Sequence, residues 1–252
     1  MMQEHPFFTK DRVMILAHRG FTPPEENTLG AFEHAISAGA QVIETDVQAT
    51  KDGVAVLVHD DDLKRVAGIN KKIKDFSLQE LEQLNLLDGS KILSLASALS
   101  AFPKTKFNLD IKNRNAINGT VSSIEQAKAH DRVLVSSFSN RTRKRALAKF
   151  TTPVATSASA SVVISTWLLV VLGKTDLRKH LLGIGALQIP RTMFGIRLDT
   201  AKFISSVAKT GTQIHYWTIN EAKEMKELVA LGANGIVTDN TSLAIEALGK
   251  TS

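Results

Sequence analysis

Apolar runs recur along the chain at residues 13–17, 41–47, 106–111, 133–137, 154–156, 184–189, 213–219 and 235–238. Helical patterns separate them, and strand followed by helix in alternation predicts a parallel α/β fold. Some helix ends are marked as well. Asn27 or Thr28 can cap a helix running to Ala38, with Gly39 just past its end. Asn220 can cap a helix over residues 221–231, with Gly232 beyond it. One more apolar run, residues 54–58, leads into a stretch of about forty-five residues between His59 and Lys106. That stretch is too long for a plain strand-to-helix loop, and its Ser77-Leu78-Gln79-Glu80 is a capping-box pattern that starts a short helix.

Polar residues at the strand ends carry the candidate chemistry. Strand ends are where an α/β protein holds reactive side chains rigidly while leaving them open to solvent. His18 and Arg19 follow the first run, and His59 follows the run at 54–58. Side chains two apart on a strand share a face, so Val42, Glu44 and Asp46 point one way and Ile43, Thr45 and Val47 the other. An exposed hairpin with its acids in water would show the same alternation. A second strand, KFNLDIK at residues 106–112, places Asn108, Asp110 and Lys112 on one face. Three inward carboxylates would repel one another strongly unless a cation sat among them.

The chain resembles the glycerophosphodiester phosphodiesterases. The matching residues are His18-Arg19-Gly20, Glu26-Asn27-Thr28, Glu44-x-Asp46, Asp52-Gly53 and His59-Asp60. Leu109-Asp110-Ile111-Lys112, Ser136-Ser137-Phe138, Trp217-Thr218-Ile219-Asn220 and Gly235-Ile236-Val237-Thr238-Asp239 follow in the same order. The resemblance implies a TIM-type (βα)8 barrel with a small insertion after the second strand. It also implies a divalent metal and hydrolysis of glycerophosphodiesters to glycerol 3-phosphate and an alcohol. Two departures stand out: Glu25 replaces the usual proline before Glu26-Asn27-Thr28, and Asp110 stands where a glutamate is commoner.

On that resemblance the metal ligands are Glu44, Asp46 and Asp110, all oxygen donors suited to Mg²⁺ or Ca²⁺. Arg19 and Lys112 are the phosphate-binding groups, one bidentate and one a point charge. His18 and His59 form the acid–base pair, with the roles of the two left open. Glu26 is a candidate for the glycerol hydroxyls or for a place behind the metal, and Trp217 for a pocket wall. Two further readings compete with hydrolysis. A cyclising, lyase-like phospholipase is disfavoured by the lack of cysteines and of a leader, and a non-catalytic phosphate- or lipid-binding barrel by retention of both histidines. A lysophospholipid is the alternative substrate.

Length and composition fit this picture. The chain has 252 residues, 43% hydrophobic and 22% charged, which suits one barrel domain over residues 1–252 with an insertion at about 60–104. There is no cysteine, which excludes disulfides, thiolate metal sites and a cysteine nucleophile. No apolar leader precedes the first strand, and a cytoplasmic location is expected. The net charge of +6 favours anionic partners, but the lysine cluster at 71–74 and the basic cluster at 141–145 lack aromatic interleaving. A small-molecule substrate is expected, and nucleic acid is not. Residues 162–172, VVISTWLLVVL, are too short to span a bilayer. They are read as a buried helix in preference to an exposed lip touching lipid, so membrane contact is not favoured. His5, His130 and His180 are expected at the surface, and His215 on an inward strand position without a catalytic role. Nothing in the chain sets the oligomeric state.

Overall fold

Strand parity and helix caps explain most of the architecture. The computed structural model describes residues 4–9, 12–20, 25–174 and 176–249. Parts of the amino-terminal stretch read above (1–3, 10 and 11) and the last residues of the 1–252 unit lie outside these. The chain runs β1 (Met14–His18), α1 (Leu29–Ser37), β2 (Val42–Ala49), β3 (Ala55–Leu57), β4 (Asp62–Leu63), α2 (Lys64–Ala67), β5 (Ile69–Lys72), α3 (Leu78–Gln83) and α4 (Leu95–Ala101). It continues through β6 (Lys106–Ile111), α5 (Ala116–Gln126), β7 (Val133–Ser136), α6 (Asn140–Leu147), β8 (Ala155–Thr156) and α7 (Ala160–Val171). The last part is β9 (Ala186–Ile189), β10 (Thr192–Met193), β11 (Ile196–Arg197), α8 (Ala201–Ala208), β12 (Gln213–Tyr216), α9 (Ala222–Ala230), β13 (Gly235–Thr238) and α10 (Thr241–Leu248).

Eight strands pair in parallel in the order β8-β7-β6-β2-β1-β13-β12-β9. A parallel bridge between Ser157 and Ala186 brings the two ends together, so the sheet forms a nearly closed TIM-type barrel. The run at 54–58 is not a barrel stave: β3 turns back antiparallel on β2. Between β3 and α4 the chain forms the β4–β5 hairpin and α3. These pack on their own cluster of Leu63, Ile73, Phe76, Leu81 and Ile92. The Ser77–Glu80 capping box is present there, with both of its reciprocal bonds made.

Of the two predicted caps, the first is met by one of its two candidates and the second is corrected. Thr28, not Asn27, caps α1, accepting from the Ala31 amide. Asn27 is buried in the left-handed region at φ 56 and takes the Thr45 hydroxyl at 2.6 Å. Asn220 does not cap α9; its side chain reaches across to β13 instead. The run at 162–172 is one face buried and one face exposed. Val163, Thr166 and Val170 are covered, while Leu168, Val171 and Leu172 face solvent. No helix among the described residues is long and apolar enough to cross a membrane. The expected surface histidines are also less exposed than predicted. His5 and His180 are half-buried, and His130 meets Phe150 edge-on and is paired with Glu125 at 3.2 Å.

The barrel interior is layered. Its floor is apolar: Phe7 and Phe8 fold under the staves and pack with Met14, Leu16, Val42, Leu134 and Val237. Full burial of one such ring is worth about 2–3 kcal/mol. Lys106 fixes the segment by donating to the Pro6 and Phe7 carbonyls. Just above lies His215, wholly buried on the inward face of β12. Its ring packs so close to β13 that a Cβ on Gly235 would come within 2.6 Å of it, so glycine is needed there. Gln213 and Gln188 satisfy its two ring nitrogens at 2.9 and 3.4 Å.

Burial lowers the His215 pKa to about 4. Below the ordinary value of 6.5 the unfolded chain takes up a proton that the folded chain refuses until about pH 4. Stability should therefore fall by about 3 kcal/mol from this group as pH drops through that window. Urea unfolding measured across it should show the component in the parent protein and not in His215→Gln.

Candidate active site

The pairing register stacks the inward polar residues into one mouth. His18 on β1 pairs with Glu44 on β2, and Glu44 with Asn108 on β6. Two residues further along, Asp46 pairs with Asp110, and Asp110 with Ser136 on β7. Because parity repeats every two residues, these positions all face the axis at the carboxyl ends of the strands. They line a cavity of about 240 Å³ together with Arg19, His59, Lys112 and Trp217. Eight of the nine sequence-predicted site residues thus line one cavity. Glu26 lies behind Arg19, with the Arg19 Nη1 3.4 Å from both of its carboxylate oxygens.

The carboxylates are buried and crowded. Glu44, Asp46 and Asp110 are each at most 9% exposed. Burial pushes the Glu44 pKa well above the ordinary carboxylate value, and the Asp46 and Asp110 charges push it further. Asp110 is raised too: burial outweighs the Lys112 ammonium 2.9 Å away. For Lys112 the balance runs the other way. Burial works against its charge, but the Asp110 and Asp46 carboxylates exceed that penalty and raise its pKa. Its Nζ lies 2.6 Å from Asp46 and bridges the two acids.

The donor set suits a hard divalent cation. All three ligand candidates offer carboxylate oxygen, and Glu44 Oε2 and Asp46 Oδ2 are buried without a hydrogen-bond partner. As the side chains stand, no three His, Asp or Glu groups among the described residues converge closely enough to hold a metal ion. Asp46 and Asp110 are both turned onto Lys112, which accounts for that. The unbonded Glu44 Oε2, and Asp46 Oδ2 with only the Arg19 ion pair at 3.2 Å, leave carboxylate oxygens that fit such an ion.

Each histidine is backed by its own carboxylate. His18 Nδ1 is 2.6 Å from Asp239 at the end of β13. Asn220 holds Asp239 in turn, at 2.7 Å to the side chain and 2.9 Å to the backbone amide. His59 Nδ1 is 2.7 Å from Asp60. Burial opposes charge on both acids, but the histidine bonds, with Asn220 for one and Arg65 for the other, keep both pKa values below the ordinary range. An ionised acceptor at Nδ1 selects the Nδ1–H tautomer and leaves Nε2 as the free ring nitrogen. Gln48 supports the His59 loop by donating to the His59 and Asp60 carbonyls at 3.3 and 3.1 Å. Arg19 sits at φ 57, a costly conformation outside glycine, held by bonds from its amide to Glu44 and from the Asn27 amide to its carbonyl.

The opposite wall is apolar. Phe138, Ala158, Val163, Ile189, Met193 and Trp217 form it. The Phe138 and Trp217 rings meet edge-on at 6.0 Å, and Phe138 is 63% exposed at the rim. Sequence reading gave no role to Arg65 or Gln48, named Asp60 and Asp239 only within matching motifs, and gave Asn220 only a helix cap. Asp239 carried a signal, an acid at a strand end; Arg65 and Gln48 carried none.

Lys112→Met should leave Asp110 without its cation and Asp46 with Arg19 alone. The variant should lose about 3–5 kcal/mol of stability in EDTA, measured by urea unfolding. Added Mg²⁺ should recover part of the loss.

Comparison with known proteins agrees with the fold. Residues 17–243 match the model of the glycerophosphoryl diester phosphodiesterase family. A probable glycerophosphodiester phosphodiesterase 2 of Mycobacterium tuberculosis is 36% identical over 93% of this chain and 90% of its own length. Human lysophospholipase D GDPD1 is 28% identical, covering 89% of this chain and 82% of its own. Among solved structures, the Thermotoga maritima glycerophosphodiester phosphodiesterase superposes with a TM-score of 0.76 at 28% identity, covering 94% and 99% of the two chains. An Oleispira antarctica phosphodiesterase, solved with the product sn-glycerol-3-phosphate, has the same fold, with a TM-score of 0.78 at 24% identity over 93% and 96%.

Proposed function

Because the chain belongs to the glycerophosphoryl diester phosphodiesterase family, we propose that it is a metal-dependent enzyme hydrolysing glycerophosphodiesters to sn-glycerol 3-phosphate and an alcohol. The observation that carries this reading is the pair of histidines, each locked at Nδ1 by an ionised carboxylate, on one cavity with three buried acids.

A phosphodiester resists attack because its charge repels nucleophiles and its alkoxide leaving group is poor. Glu44, Asp46 and Asp110 would hold a divalent ion, Mg²⁺ or Ca²⁺, which supplies charge neutralisation at the phosphoryl oxygens and activates an oxygen nucleophile. Arg19 binds the phosphate through its guanidinium fork, and Lys112 adds a second positive charge beside it. His18 and His59 work through Nε2. One accepts a proton from the attacking oxygen, water or the neighbouring glycerol hydroxyl, and the other gives a proton to the departing alkoxide. Asp239 and Asp60 stabilise whichever ring becomes charged. Trp217 and Phe138 wall the cavity on the far side, where the organic groups of the substrate would lie. The apolar character of that wall also favours a second reading, hydrolysis of a lysophospholipid, the activity for which the human relative is named.

Phosphorus NMR tests the proposal. With Mg²⁺ or Ca²⁺, glycerophosphocholine should yield glycerol 3-phosphate, and EDTA should abolish turnover. A signal for a cyclic phosphate alone would replace hydrolysis by ring closure, and lysophosphatidylcholine in a parallel tube separates the two substrate readings. His18→Ala and His59→Ala should each lower kcat by about 10²–10⁴-fold with little change in substrate binding. A histidine whose loss left kcat near the parent value would be structural.

A further inference from the structure

Arg65 stands outside the cavity wall, on α2 of the segment between β3 and α4, yet it touches both halves of the machinery. All three of its guanidinium nitrogens are engaged. Nη1 and Nη2 donate to the two oxygens of Glu26 at 2.9 and 2.7 Å. Nε donates to Asp60 Oδ2 at 2.6 Å. The other oxygen of Asp60 takes His59 Nδ1 at 2.7 Å. Glu26 also faces Arg19, but at the longer distance of 3.4 Å.

We propose that Arg65 is a positioning residue that acts on both steps at once: it draws Glu26 away from Arg19, and it fixes Asp60 behind His59. Charge-assisted forks of this kind set the plane of a carboxylate as well as its position. Without Arg65, the nearest cation to Glu26 is Arg19, and the two close into a pair that competes with phosphate for the same guanidinium. With Arg65 in place, the short bonds of Glu26 go outward, and the Nη side of Arg19 is left for an anion while its Nε stays 3.2 Å from Asp46. On the other side, Nε pins Asp60 Oδ2, so Oδ1 stays aimed at His59 and the ring cannot swing. Arg65 thereby couples the segment that carries it to the active site.

This inference rests on the reading that Arg19 binds phosphate and His59 transfers a proton, and the experiment separates the two. Calorimetry with inorganic phosphate reports anion binding, and turnover of glycerophosphocholine reports catalysis. Arg65→Gln should weaken phosphate binding about tenfold, the loss of a charged hydrogen bond at Arg19. It should also lower kcat by about 10–100-fold, as loss of a supporting partner does. Glu26→Gln added to Arg65→Gln removes the competing charge. The double variant should recover phosphate affinity but not kcat, because Asp60 is still unsupported. Arg65→Lys keeps the charge but not the fork, and should fall between parent and Arg65→Gln in both readings. Arg65 is nearly half exposed, and circular dichroism should show all of these variants folded. Parent-like phosphate affinity and kcat in Arg65→Gln would overturn the inference, as would failure of Glu26→Gln to restore affinity. If Arg19→Gln left phosphate binding unchanged, the reading of the site itself would fall instead.

Discussion

The structure turns on negative charge concentrated inside the mouth of the barrel. Glu44, Asp46 and Asp110 come from two adjacent staves, and parity forces all three toward the axis. Nothing in the barrel wall can relieve the repulsion, because the layers beneath are hydrocarbon and a neutral histidine. Compensation must come from cations at the rim: Lys112 bridges Asp46 and Asp110, and Arg19 lies 3.2 Å from Asp46. A cluster that costs this much to bury persists in a fold where it serves a ligand. On the proposed function, a divalent ion among these acids would also make the site acceptable to an anionic substrate.

Around this centre the acids are organised in a second ring. Asp239 and Asp60 hold the histidines, Asn220 holds Asp239, and Arg65 holds Asp60 with Glu26. The ring draws on both ends of the chain, since β1 and β13 are neighbours in the barrel. That adjacency puts Asp239 against His18 across 221 positions of sequence. The cavity therefore has one charged, tightly hydrogen-bonded wall and one apolar wall, a division suited to a substrate with a phosphate at one end and organic groups at the other.

Much of this was legible in the sequence because it is local. Alternation on β2 and β6 placed Glu44, Asp46, Asp110 and Lys112 on one face before any fold was known, and the barrel has that register. The eight parallel strands were legible as apolar runs, even β8, which is only two residues long. What escaped was side-chain choice among neighbours. Asn220 and Asn27 both had capping chemistry next to a helix start, and tertiary partners outbid it: Asp239 for one and Thr45 for the other. The half-exposed face of α7 was weighed as a lip but not preferred, because the run at 162–172 is mostly apolar and shows no clear polar face. Arg65 and Gln48 looked like ordinary polar residues; the return of β3 along β2 brings Gln48 to the His59–Asp60 carbonyls, and the fold brings Arg65 to Glu26, 39 positions away.

The central claim is that the three buried acids are a divalent-cation site. The most direct measurement is an anomalous-scattering map from crystals soaked in Mn²⁺, which takes the same oxygen donors. The account predicts one strong peak within bonding distance of the Glu44, Asp46 and Asp110 carboxylates. Saturating Mn²⁺ that leaves those three acids without a peak, in a preparation shown to hydrolyse glycerophosphocholine, would contradict it.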